Sequence, residues 1–238
     1  LLQEVPEYAW LIAQGEYDRA LEVILSRNPL PAVTGYVCTH LCQTRCTRSD
    51  YDQPVAIRAL KRFAVEHGMV QVPRVEPGAH KVAVVGGGPS GLAAAFFLAL
   101  SGIQTTIFEA GERAGGMLTL APSFRLPAHV VKADVDRIAG LGVQIELNHP
   151  VLGPPEELLQ QGFDAVYLAC GFPLDARLEV EGIEGDGVYG ALDFLSRVAQ
   201  GNAPLLGSQV AVVGGGNTAM DAARTAARLS CRPATVLY

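Results

Sequence analysis

The stretch KVAVVGGGPSGLAAAFFLALSG, residues 81–102, constrains the fold more than any other part of the chain. Five residues of buried-strand composition run into three glycines and then into an apolar helix. That order is the opening of a parallel α/β unit, and QTTIFEA supplies its second strand. The pattern returns near the end as QVAVVGGGNTAMDAARTAARL followed by ATVLY. Between the two, HVVKADVDRIAGLGVQIELN reads as a further helix and strand, and GFDAVYLACG as a further buried strand. The chain is therefore predicted to build two parallel α/β folds in series.

The glycine spacing says what the two turns are for. Gly86, Gly88 and Gly91 form a G-x-G-x-x-G turn between a strand and a helix, the context that gives this motif its mechanism. Gly86 permits the tight turn, Gly88 lets a pyrophosphate approach the backbone, and Gly91 lets the helix pack close to the strand. Free amides and the helix dipole then hold the anion. Glu109 closes the second strand, where an acid accepts hydrogen bonds from an adenosine ribose. The second turn has Gly214, Gly216 and Ala219, with Asn217 and Thr218 as polar groups at the helix start. The residues stop before the position at which an acid or arginine would separate NAD from NADP, so they do not distinguish the two.

Two dinucleotide sites point to two redox cofactors: a flavin that stays bound and a nicotinamide that exchanges. The cofactors carry hydride chemistry and the protein positions them, so no catalytic acid, base or nucleophile is expected. His40, His67, His80, His129 and His149 are scattered accordingly. GGMLTLAPSFRLP contains no cysteine pair, which excludes disulfide reduction by thiols beside the flavin. Cys170 and Cys231 are solitary and are expected to be buried small hydrophobes.

Residues 1–70 read as helical. PEYAWLIAQGEYDRALEVILSRNPLP breaks at Gly15 and closes at Asn28-Pro29; Pro54 opens PVAIRALKRFAVEHG, which ends at Gly68. VPRVEPGAHK is a linker. Between the helices, GYVCTHLCQTRCTR spaces Cys38, Cys42 and Cys46 evenly. Three readings fit that spacing: part of an iron–sulfur ligand set, a zinc site completed by His40, or inert thiols along one helical stripe. The net charge of −6, without a basic run, argues against nucleic acid. The apolar run LAAAFFLAL is about half a bilayer span. Five cysteines, an odd number, and no signal peptide suggest a reducing cytoplasm.

The segments VAVVGGGPSGLAAAFFLALSG, TTIFEAGERAGGM, FRLP, FDAVYLACG and VAVVGGGNTAMDAARTA resemble the glutamate synthase small subunit and the N-terminal half of dihydropyrimidine dehydrogenase. TGYVCTHLCQTRCTRSDYD, followed by PVAIRALKRFA, is most similar to a branch that carries a selenate reductase label. The resemblance implies a tandem Rossmann-like flavoprotein fold for FAD and NADPH behind an α-helical domain with [4Fe–4S] clusters. Cys38, Cys42 and Cys46 would be the downstream C-x3-C-x3-C ligand block, its upstream counterpart lying before VPEY. The FAD contacts it implies are Gly86, Gly88, Pro89, Ser90 and Gly91 at the pyrophosphate, Glu109 at the ribose, and Val151 near the adenine. Gly116, Met117 and Arg125 would face the isoalloxazine. NADPH phosphates would meet Gly214, Gly215, Gly216, Asn217, Thr218 and Ala219. The implied domains are 1–78 (helical), 79–175 (FAD) and 176–238 (nicotinamide). The resemblance also implies a truncated chain that binds FAD weakly by itself, lacks turnover, and covers an open sheet edge by pairing. The implied role is electron input to a partner subunit or domain; the alternative is a non-catalytic flavin-fold scaffold.

Overall fold

The computed structural model describes residues 3–238 apart from 173, 176, 177 and 231, so Cys231 lies outside the described residues. The N-terminal part is helical: α1 (Val5–Ala13), α2 (Tyr17–Leu25), α3 (Pro31–Val37) and α4 (Ile57–His67). Tyr8 and Leu11 from α1, Ala20 and Ile24 from α2, and Ile57 and Ala64 from α4 share one buried cluster. Helix α4 starts three residues later than Pro54 suggests, because the Ile57 amide bonds back to the Val55 carbonyl at 2.7 Å and holds the preceding residues in a turn. Gly68 follows it in extended backbone, so its role is space: a Cβ there would stand 2.7 Å from the Tyr17 carbonyl oxygen.

The first α/β unit runs β1 (Lys81–Val85), α5 (Pro89–Leu100), β2 (Gln104–Phe108), α6 (Ala128–Gly140), β3 (Gln144–Glu146), α7 (Glu156–Gln160) and β4 (Ala165–Leu168). The strands pair in parallel in the order β3-β2-β1-β4. Strand order reverses beside β1, and the carboxyl ends of strands at such a point are where open α/β sheets bind ligands. Gly86 follows β1 directly. The segment expected as a buried strand, GFDAVYLACG, does form β4, but Tyr167 and Leu168 are exposed. It is an edge strand with a neighbour on one side only. Cys170 just beyond it is exposed as well, not buried as expected.

Helix α6 ties this sheet to the N-terminal helices. Asp134 is fully buried and accepts hydrogen bonds from the amides of Val33 at 2.9 Å and Ala32 at 3.3 Å, in the first turn of α3. Arg137 pairs with the same carboxylate. Burial pushes the Asp134 carboxyl up, against the pull of the Val33 amide and Arg137. Leu1–Gly116 and Arg125–Gly171 accordingly form one compact unit.

The second unit comprises Met117–Phe124 and Phe172–Tyr238. It holds α8 (Ala191–Ala199), β5 (Ala211–Val213), α9 (Asn217–Ser230) and β6 (Thr235–Leu237), with β5 and β6 parallel. Phe194 and Leu195 of α8 pack on Ala222 and Ala226 of α9. Asp175 accepts from the Leu192 amide at 3.0 Å and so caps α8. Among the described residues no helix is long and apolar enough to cross a membrane.

Candidate functional site

The first glycine turn is built by close contacts that only glycine allows. Gly86 sits at φ +108°, and a Cβ on it would collide with the carbonyl oxygen of Ala169. A Cβ on Gly91 would overlap the carbonyl oxygen of Gly86, so α5 is pressed against the turn. Gly88 is different: the nearest atom to its notional Cβ is the Gly116 Cα, at 3.8 Å. No side chain caps α5 at Gly88, and the first amides of a helix have no partner within it. A backbone with room in front of it and uncapped amides behind it fits a pyrophosphate.

Glu109 closes the other side of this cradle. Its carboxylate accepts the Gly87 amide at 2.7 Å and the Gly111 amide at 2.8 Å. A carboxylate has about four acceptor positions, so two are left for ribose hydroxyls. The loop after β2 returns to the turn: the Gly115 amide bonds to the Gly87 carbonyl at 2.8 Å, and a Cβ on Gly116 would stand 2.8 Å from the Gly88 Cα. Pro89 occupies the first turn of α5, and Ser90 shares a 2.9 Å hydrogen bond with the Tyr167 hydroxyl. Val151 packs with Phe163 and Val166 against the cluster of Ala83, Phe108 and Leu158. Arg125 is half-buried in the first unit; Met117 is exposed and belongs to the second.

The second turn repeats the backbone but changes two side chains. Gly214 has φ +121°, and its amide bonds to the Leu237 carbonyl at 2.8 Å, as the Gly86 amide bonds to the Phe108 carbonyl at 2.8 Å. Ala219 stands where Gly91 stands in the first turn, so a methyl is accommodated there, and a Cβ built on Gly214 would lie 3.5 Å from it. Gly216 has nothing within 4 Å of its notional Cβ, leaving space ahead of α9, whose first residues are Asn217 and Thr218. The strand register is the informative part. Val85 pairs with Phe108 and Val213 with Leu237, so Tyr238 occupies the place of Glu109. Its ring lies against Gly215, as the Glu109 carboxylate lies against Gly87. An aromatic ring there brings no negative charge to repel a 2′-phosphate. Motif reading did not show this, because it depends on which residues pair across two strands.

The cysteine block is not a helical stripe. Helix α3 ends at Val37, His40 takes a positive φ of 46°, and the rest is two short 3-10 turns, Gln43–Arg45 and Thr47–Asp50. Among the described residues no three His, Cys, Asp or Glu side chains converge on a metal position. The thiols instead divide. Cys38 and Cys42 act electrostatically on Tyr8 and on Lys61, whereas Cys46 acts on Arg48. The block is held to α4 by Arg58, whose guanidinium donates to the Cys38 carbonyl at 3.0 Å. The His40 amide donates to the Cys38 sulfur at 3.4 Å.

Two polar groups beside this thiol pair are buried. Tyr8 is 0% exposed and its hydroxyl has no partner; burial pushes the phenol up, and the two thiols push the same way. Lys61 is 6% exposed, on the face of α4 that also carries Ile57 and Ala64. Burial pushes its ammonium down, while Cys38 and Cys42 pull it back up. An unpartnered hydroxyl and a buried cation within electrostatic reach of two thiols fit an anionic sulfur-bearing group. Sequence reasoning missed both residues. The available signal was a lysine at the i+4 position between Ile57 and Ala64 on an otherwise apolar stripe.

Fold and sites together define a tandem dinucleotide-binding flavoprotein preceded by a cysteine-bearing helical segment. The chain belongs to the pyridine nucleotide-disulphide oxidoreductase family, whose model matches residues 80–238; residues 2–72 match dihydropyrimidine dehydrogenase domain II, 4Fe-4S cluster. It is 41% identical over 244 residues to YgfK of Escherichia coli (strain K12), covering 99% of this chain and 24% of that protein. To the glutamate synthase [NADPH] small chain of Bacillus subtilis (strain 168) it is 33% identical over 242 residues, covering 94% of this chain and 49% of that one. Among solved structures, a 2-naphthoyl-CoA reductase complex matches with a TM-score of 0.55 and 25% identity, over 74% of this chain and 26% of that chain. The chain thus spans no more than half the length of these relatives.

Proposed function

We propose that the chain is the electron-input part of a flavoprotein oxidoreductase, fed by NADPH and delivering electrons through [4Fe–4S] clusters to a partner subunit or domain. The observation that carries this reading is the clear space before Gly88 and before Gly216, each at the start of a helix. A turn that served packing alone would have no reason to keep that space open.

Gly86, Gly88, Pro89, Ser90 and Gly91 are assigned to the FAD pyrophosphate, Glu109 to its ribose and Val151 to the adenine side, with Gly116, Met117 and Arg125 toward the flavin ring. Gly214, Gly215, Gly216, Asn217, Thr218 and Ala219 are assigned to NADPH. Tyr238, in the place of a ribose acid, supports NADPH over NADH. The printed name of the Bacillus relative, a small chain that uses NADPH, points the same way. Cys38, Cys42 and Cys46 are assigned as cluster ligands, and the chain divides functionally at 1–78, 79–175 and 176–238. The chemistry that a bound FAD would supply is acceptance of a hydride and passage of its electrons one at a time. The chain's own groups bind and orient: the first-turn amides of α5 hold an anion, Glu109 fixes both the turn and the ribose, and Gly116, lacking a Cβ, lets its own backbone pass close to Gly88.

The test uses the full-length gene product, purified anaerobically, with FAD and iron quantified. It should reduce a one-electron dye with NADPH, and Gly88→Val combined with Gly216→Val should abolish that reduction. Dye reduction that survives the double substitution would sink the reading.

A further inference from the structure

We propose that Tyr8 and Lys61 set the reduction potential of a cluster held by Cys38 and Cys42, the phenol donating to a sulfur of that unit and the ammonium facing its negative charge; this rests on the cluster reading given above. Buried hydroxyls nearly always have a partner, and one without it calls for an explanation. Tyr8 lies in the helical core, completely buried, with its oxygen unpaired. Lys61 presents the complementary problem: a cation almost never buries without a counter-charge. Cys38 and Cys42 favour its charged form, and the same two thiols act on Tyr8. Both unmet requirements therefore point at one place.

The surrounding backbone is arranged to match. His40 already donates its amide to the Cys38 sulfur, and Arg58 fixes the Cys38 carbonyl from the first turn of α4. Lys61 projects one turn further along the buried face of that helix. Hydrogen bonds to sulfur, burial and net charge are the levers by which a protein tunes an iron–sulfur potential. One-electron reduction adds one negative charge to the cluster, so a facing cation and an O–H donor favour the reduced form. Cys46, assigned above as a further ligand, acts electrostatically on Arg48.

The experiment is an anaerobic redox titration of the full-length protein followed by electron paramagnetic resonance, with iron measured per polypeptide. Lys61→Met should lower one cluster's midpoint by at least a tenfold change in the reduction equilibrium, about 59 mV for a one-electron couple. Lys61→Arg should restore most of it, and Tyr8→Phe should move the same midpoint in the same direction by less. Absence of iron from the unsubstituted protein defeats the cluster reading itself. Iron present with midpoints unchanged in Lys61→Met and Tyr8→Phe overturns this inference alone; the hydroxyl is then served by water and the lysine is structural. Should Lys61→Met purify without iron while Lys61→Arg keeps it, the inference holds. If both lose iron, the midpoint of Tyr8→Phe decides.

Discussion

The two glycine turns share a backbone and differ in how tightly the helix is set against it. At the first, Gly91 is pressed on the Gly86 carbonyl, and an acid from the second strand grips the turn through two amides. At the second, the equivalent position accommodates the methyl of Ala219, and a tyrosine ring replaces the acid. The first is tightly fitted, as a cofactor that stays bound requires. The second is looser, which suits one that comes and goes. Preorganisation lowers the cost of binding, so the difference in fit becomes a difference in residence.

The largest effect should come from Gly91→Ala. The new methyl meets backbone, which cannot swing aside, so about 3 kcal/mol of stability should be lost, the upper end of overpacking costs. Bound flavin should disappear with it; urea unfolding and the flavin-to-protein ratio report both. Glu109→Gln should cost about 2 kcal/mol through loss of charge-assisted bonds to the turn, again with reduced flavin content. If flavin occupancy is undiminished, the acid is not part of that grip. Tyr238→Glu should shift kcat/KM from NADPH toward NADH by at least tenfold, about 1.4 kcal/mol, because a carboxylate in that place repels a 2′-phosphate and accepts from a 2′-hydroxyl. Steady-state kinetics with both nucleotides would show no such shift if the register argument is wrong. Smallest of all, Ala219→Gly should cost about 0.5–1 kcal/mol as a glycine placed in a helix, and leave NADPH affinity within about twofold by calorimetry. A flavin-sized loss there would erase the contrast between the turns.

What could be read from the chain beforehand was whatever is local. The strand–turn–helix order, the glycine spacing and Glu109 depend on neighbours a few residues apart or on one strand of fixed length, and all stand where expected. Properties set by tertiary neighbours were misjudged. GFDAVYLACG has the composition of a central strand and lies at an edge; Cys170 follows it into exposure. Of the three readings of the evenly spaced cysteines, the helical stripe does not hold, because His40 turns the chain out of a helix. Tyr238 gained meaning only through its pairing register. The unmet demands of Tyr8 and Lys61 arise from α1 and α4 meeting the cysteine block, which no period along the chain encodes.

On the proposed reading, Asp134 bears on electron transfer. Its carboxylate fastens the first turn of α3, whose far end runs into Cys38, to a helix of the flavin-type sheet. On the proposed reading, a donor and an acceptor stand on either side of that fastening. Tunnelling rates fall steeply with separation, so a span fixed when the chain folds makes the hop a constant of the molecule, insulated from the breathing of its surface loops.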